Sequence, residues 1–109
     1  MSLFFPTPDE MSRHRIFPGV SIQTCAAEKT MISLVEFEPN AVVDEHSHPH
    51  EQVGMVLQGR AIFYIGGEQK TLQAGDRFRI PGNVPHHVVA LDEPVRVVDF
   101  FYPVREDYR

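Results

Sequence analysis

The sequence predicts an all-β protein, a single barrel or sandwich of about eight short strands. Three observations lead there. Short runs rich in Val, Ile, Phe and Tyr alternate between apolar and polar residues, as half-buried strands do. Glycine, proline or charge punctuates these runs at short intervals. Nine prolines and the lack of any ten-residue stretch with a 3.6 period leave little room for a helix.

The expected strands, in order, are Val20–Cys25, Met31–Glu38, Val53–Gln58, Arg60–Ile65, Lys70–Gln73, Arg77–Ile80, His86–Leu91 and Val95–Tyr102. Between the fourth and fifth, Gly66-Gly67 is a two-residue hairpin signal, since both central positions of that turn need positive φ. Arg77-Phe78-Arg79-Ile80 alternates cleanly, with Phe78 and Ile80 on one face. Residues 1–19 are expected to form an N-terminal arm that pairs with another strand or a second subunit. Residues 20–109 are expected to form the barrel.

Composition narrows the function. A chain of 109 residues is long enough for one compact core. Ten basic against fifteen acidic side chains leave a formal net charge of −5, with no basic stripe of the kind a nucleic acid requires. Cys25 is the only cysteine, so no disulfide can form within the chain and a reducing, cytoplasmic setting is expected. The first residues carry no basic segment followed by an apolar run, and no apolar stretch approaches membrane-spanning length.

The chemistry concentrates in HSHPHEQ, residues 46–52, which holds three of the six histidines. His46 and His48, two apart, point to one face of a strand and can offer imidazole nitrogens to one ion. His50 and Gln52 share that parity. A straight strand from 46 to 52 would separate its ends by about 20 Å at roughly 3.3 Å per residue, far too much for metal–nitrogen bonds of about 2.0–2.1 Å. Pro49 supplies a break. Beyond it either Glu51 or Gln52 can return to the site, and periodicity does not choose. The pair His86-His87 follows Pro85, and only one of two adjacent strand residues can join. His86 shares a face with Val88 and Ala90, His87 with Val89 and Leu91, so pattern leaves this open as well.

A resemblance bears on both choices, though Glu51 can still occupy the site if the bend is one residue shorter. Asn40 to Gly59, NAVVDEHSHPHEQVGMVLQG, resembles the first cupin motif, in which HxH is followed by an acidic ligand and then a glycine. Gln52 stands at the acidic position. Gly75 to His87, GDRFRIPGNVPHH, resembles the second motif, with His86 at its ligand position and Asn83 where that motif has glycine. The resemblance implies a double-stranded β-helix, a jelly-roll-like barrel, with one divalent metal ion (Ni, Zn, Mn, Co or Fe) held by His46, His48, Gln52 and His86. Three imidazoles and a neutral amide leave the ion's charge uncompensated, which favours a Lewis acid and disfavours oxidised iron.

The last strand carries a second constellation. Asp99 alternates with Val95, Val97 and Phe101, and so faces the barrel interior, where a lone carboxylate is costly unless paired, hydrogen-bonded or working. The opposite face, Val98, Phe100 and Tyr102, is apolar too, and a twofold interface in a homodimer would cover it. The ending DFFYPVRED is similar to that of the KdgF-type pectin-degradation cupins, which act on 4,5-unsaturated monouronates. That similarity implies a sugar-acid substrate and functional roles for Asp99, Phe101 and Arg105. The alternatives are an iron-dependent cupin dioxygenase and a non-catalytic sugar-binding cupin, because one fold hosts many functions.

Overall fold

The computed structural model describes residues 2–109, so the first residue of the expected arm lies outside it. Ten strands form two antiparallel sheets, with a single 3₁₀ turn near each end of the chain, and there is no α-helix among the described residues. The strands are β1 Ser12–Phe17, β2 Val20–Ala26, β3 Met31–Phe37, β4 Val42–His46, β5 Glu51–Gln58, β6 Arg60–Ile65, β7 Glu68–Gln73, β8 Arg77–Ile80, β9 His86–Ala90 and β10 Val95–Tyr102. One sheet runs β1-β2-β3-β10-β5-β8 and the other β4-β9-β6-β7. The two face each other as a jelly-roll-like sandwich.

Alternation builds the core. On β2, β3 and β10 every second residue is buried, and Val20, Ile22, Val35, Phe37, Val95 and Val97 meet Val56, Phe63, Leu72 and Val88 between the sheets. Gly66 and Gly67 both have positive φ, 57° and 86°, and join β6 to β7 as a tight hairpin with Ile65 opposite Glu68.

All eight expected strands are present, three of them with the expected ends. Two strands were not among those eight, although the first of them is the expected pairing of the arm with another strand. β1 (SRHRIF) lies in residues 1–19 and pairs with β2, its arginines keeping an apolar signal off this sheet edge. β4 (VVDEH) hides because Asp44 and Glu45 interrupt its alternation, and its pairing with β9 shifts register between Val43 and His46. Among the described residues no helix is long and apolar enough to cross a membrane.

Candidate functional site

Three local devices bring the histidines together. The register shift in β4 leaves His46 directly opposite His86 on β9. The chain then leaves the sheet for residues 47–50, the break expected at Pro49, and re-enters at β5. The turn after β8 pins this loop. Asn83 N–H donates to the His48 carbonyl at 2.7 Å, and a Cβ on Gly82 would stand 2.6 Å from the Pro49 carbonyl oxygen. Asn83 has φ 66°, a left-handed conformation that asparagine tolerates better than most residues, so it can stand where the motif carries glycine.

His46, His48 and His86 each offer a ring nitrogen to a cluster whose atoms all lie within 4.8 Å of one another. Ring centroids are 4.3 Å apart for His46 and His86, 5.0 Å for His48 and His86, and 5.6 Å for His46 and His48. Each Nδ1 faces a backbone carbonyl: His46 that of Asp44 at 2.8 Å, His48 that of His50 at 3.0 Å, His86 that of Val84 at 2.8 Å. A neutral imidazole that donates from Nδ1 carries a bare lone pair on Nε2. Burial, then the positive charge of Arg105, lowers the His48 pKa to about 4, and burial lowers that of His86. Both rings are therefore neutral at physiological pH, as metal ligands must be.

Gln52 stands beside the three. It is buried on the inner face of β5, and its Oε1 lies 3.2 Å from His48 Nε2. With the His48 proton on Nδ1, two lone-pair atoms face each other and no hydrogen joins them. A cation between them would resolve that contact, and this spacing matches one edge of a ligand shell with bonds near 2.1 Å. The four residues thus fit a divalent ion, with backbone carbonyls fixing three of them from behind. Glu51 is exposed and pairs with Tyr102 on the opposite face of the sheet. His50 stays outside the cluster, edge-on to His48 at 5.5 Å, and His87 stacks flat on Tyr64 at 4.0 Å.

Asp99 lies on the inner face of β10 beside this cluster, 7% exposed, with Gly54 and Ser33 directly across on β5 and β3. Gly54 leaves room for it: a Cβ there would meet Asp99 Oδ1 at 2.7 Å and the Phe78 ring at 2.3 Å. Oδ1 is buried and makes no hydrogen bond. Burial pushes the Asp99 pKa up to about 7, against the opposing pull of a hydrogen bond from Gln52 and the charge of Arg105. The Gln52 side chain thereby stands between the two groups, its oxygen toward His48.

The resemblance gave Arg105 a functional role. It is buried, 9% exposed. Its guanidinium carbon lies 4.1 Å from the centroid of the Tyr108 ring and 5.4 Å from that of Phe101, its Nη2 donates to Asp107 at 2.9 Å, and its Nε is buried without a partner. Arg109 stays partly exposed and pairs with Glu106 at 3.0 Å. The enclosed space bounded by His46, Gln52, His86, Asp99, Phe101 and Arg105 is about 60 Å³. Tyr108 and Ser33 also line it and were missed. Their signals were slight: an aromatic three residues after Arg105, and a small polar residue on the apolar face of MISLVEF.

A fold of two antiparallel sheets with three histidines at one end of the sandwich describes a class of small metal-binding β-barrels. Residues 33–101 match the cupin domain family, and the chain belongs to it. It is 32% identical over 83 residues to the pectin degradation protein KdgF of Dickeya dadantii, covering 75% of this chain and 76% of that protein. Among solved structures it is similar to KdgF from Halomonas sp., with 33% identity and a TM-score of 0.84 over 94% of this chain and 96% of that one. It is also similar to an RmlC-like cupin from Shewanella frigidimarina, with 29% identity and a TM-score of 0.88 over 99% and 97% of the two chains.

Proposed function

We propose that this cupin is an enzyme that opens the ring of 4,5-unsaturated monouronates and promotes their tautomerisation to the linear keto form, in the breakdown of pectin or alginate. The observation that carries the reading is a buried, unpartnered carboxylate oxygen, that of Asp99, in the same cavity as a convergent three-histidine cluster. The likeness to KdgF proteins supports the substrate class.

His46, His48, His86 and Gln52 would hold one divalent ion, which when bound supplies Lewis acidity toward substrate oxygens. The remaining chemistry falls to the chain. Ring opening breaks the bond from C1 to the ring oxygen as the anomeric hydroxyl gives up its proton, leaving an aldehyde at C1 and an enol at C5. Collapse of the enol to the keto form takes a proton at C4 and releases one from oxygen, with no net oxidation. Asp99 is the group that accepts and returns the proton, a contribution of about 10²–10⁴-fold. The free Nε–H of Arg105 binds the uronate carboxylate, and Phe101 is a wall for the sugar.

The test follows the ring signal of a 4,5-unsaturated uronate by proton NMR, with metal-loaded protein against the spontaneous reaction. Acceleration supports the reading. No acceleration, or oxygen uptake with a phenolic substrate by the Fe(II)-loaded protein, overturns it.

We also infer a cytoplasmic homodimer. The outer face of the six-stranded sheet leaves Ile32, Val53, Leu57, Phe100 and Tyr102 between 40% and 56% exposed, an apolar surface that a second copy would cover. Light scattering that returns a monomer mass at every concentration would refute the dimer.

A further inference from the structure

We propose that Thr24 and His14 are positioning residues for Arg105: from β2 and β1 they clasp the Tyr108 carbonyl and so fix the guanidinium at the cavity. The kinetic arm of the test rests on the uronate reading, whereas the clasp itself has a readout that needs no substrate.

The clasp begins with an anomaly in β2. Its inner face opens with Val20 and Ile22, and the same alternation calls for an apolar side chain at the next inner position. Thr24 stands there instead, only 3% exposed, and a hydroxyl buried so deeply needs a partner. Its partner is 84 residues further along the chain, the Tyr108 carbonyl, to which Oγ1–H donates at 2.6 Å. On β1, His14 stands opposite Ile22 and brings its Nε2 to 3.2 Å from the same oxygen. A carbonyl only accepts, so this ring carries its proton on Nε2. The His14 and Tyr108 rings also pack together, 5.9 Å between centroids. Side chains from two adjacent strands thus converge on one carbonyl of the 3₁₀ turn Glu106–Tyr108.

Arg105 depends on that turn. Tyr108 N–H donates to the Arg105 carbonyl at 3.0 Å, closing the turn on itself. The Tyr108 ring lies 4.1 Å from the guanidinium carbon, nearer than the Phe101 ring at 5.4 Å. A cation over an aromatic face is held by the ring's quadrupole, so the ring sets where the cation rests. Asp107, which accepts from Nη2 at 2.9 Å, belongs to the same turn. Among the described residues, the hydrogen bonds that tie residues 105–109 to the sheets are the two made by Thr24 and His14. Both the closer ring and the carboxylate that hold the guanidinium therefore take their place from the clasp. The buried, unpartnered Nε of Arg105, beside the cavity, is the atom whose aim is at stake.

The test uses the full chain loaded with a divalent ion. Thr24→Val removes the hydroxyl and keeps the side chain's shape, and His14→Phe removes the nitrogen and keeps a ring against Tyr108. Exchange of the Arg105 Nε proton, followed by heteronuclear NMR, should quicken about threefold or more in Thr24→Val. It should quicken further in the double variant and return toward wild type in Thr24→Ser. With the unsaturated uronate, Thr24→Val should raise KM about threefold to tenfold, the worth of one net hydrogen bond, with kcat and metal content kept. In an Arg105→Ala background the same substitution should raise KM no further, because nothing remains to be positioned. Wild-type exchange of the Nε proton in the double variant overturns the clasp, whatever the substrate proves to be. An equal rise in KM with and without Arg105, or a fall in kcat together with metal loss, overturns the positioning role. A wild-type protein that does not act on the uronate overturns that reading alone, and the exchange rates then decide the clasp.

Discussion

Asp99→Asn should make the metal-free fold more stable as it makes the protein less active. In the folded chain burial raises the Asp99 pKa from 3.8 to about 7. Between those two values the native state holds a proton that the unfolded chain has released, so this residue's contribution to stability falls as pH rises through the window. Below pH 3.8 it costs nothing; above pH 7 the full penalty applies. A shift of about three units, at about 1.4 kcal/mol each, makes the ionised side chain roughly 4 kcal/mol unfavourable. That is a large share of the 5–15 kcal/mol stability typical of a domain. Asparagine keeps the shape and a polar oxygen for Gln52 but cannot ionise. Urea unfolding of both proteins in chelator, at pH 5 and pH 8, provides the assay. The variant's advantage should grow by roughly 2–4 kcal/mol between the two pH values, and any pH-independent difference in packing cancels from that comparison. Titrations common to both proteins cancel too. An advantage that does not change with pH would mean that Asp99 ionises freely, and the argument for a proton held in the cavity would fail. Saturating the site with a divalent ion should shrink the pH dependence, because a cation nearby stabilises the carboxylate.

His46→Ala or His86→Ala should strip most of the bound divalent ion on elemental analysis, whereas His50→Ala and His87→Ala should retain it. Loss in His87→Ala with full occupancy in His86→Ala would reverse the assignment. Gln52→Ala should weaken metal binding and Glu51→Ala should not, read by competition with a chelator; Gln52→Glu should hold the ion but slow turnover by offsetting its charge. With the unsaturated uronate, Arg105→Ala should mainly raise KM and Arg105→Lys should restore it only in part, because a single ammonium cannot reproduce the fork; an unchanged KM removes Arg105 from substrate binding. Gly54→Ala should cost about 1–3 kcal/mol and lower kcat with metal content intact, since a Cβ there collides with Asp99, Phe78 and the Val98 carbonyl; wild-type kcat would show that the position of Asp99 does not matter.

The strands were legible from alternation in β2, and from runs of β-branched and aromatic residues in β3 and β10, whose outer faces are largely apolar as well. β1 escaped because an edge strand with arginines at alternate positions carries little apolar signal, and β4 because a register shift spoils its period. The inward turn of Asp99 could be read from its alternation with Val95, Val97 and Phe101. His86 and His87 could not be separated by pattern, since both faces of β9 are apolar, and only the opposite strand decides which ring meets His46. Arg105 was the hardest to place. Nothing in VREDYR distinguishes it from a solvated charge, because its burial depends on stacking between two rings, Phe101 from β10 and Tyr108 from the terminal turn.

These features meet on one strand. β10 is central, paired over seven residues with β3 and over seven with β5. Its inner face presents Asp99 and Phe101 to the cavity, and its outer face presents Val98, Phe100 and Tyr102 to the proposed partner. A slip of one residue would exchange the two faces, turning the carboxylate outward and Phe100 into the cavity. Holding a carboxylate that costs roughly 4 kcal/mol therefore needs a strand that cannot slip, and an edge strand would be a poor host. Two full ladders supply that restraint within one chain. Covering the outer face with a second copy would add to it, so dimer dissociation and opening of the Asp99 niche should be linked: weakening the outer contact at Phe100, for instance with Phe100→Ser, should speed hydrogen exchange at the amides of β10 even though no atom of the cavity has changed.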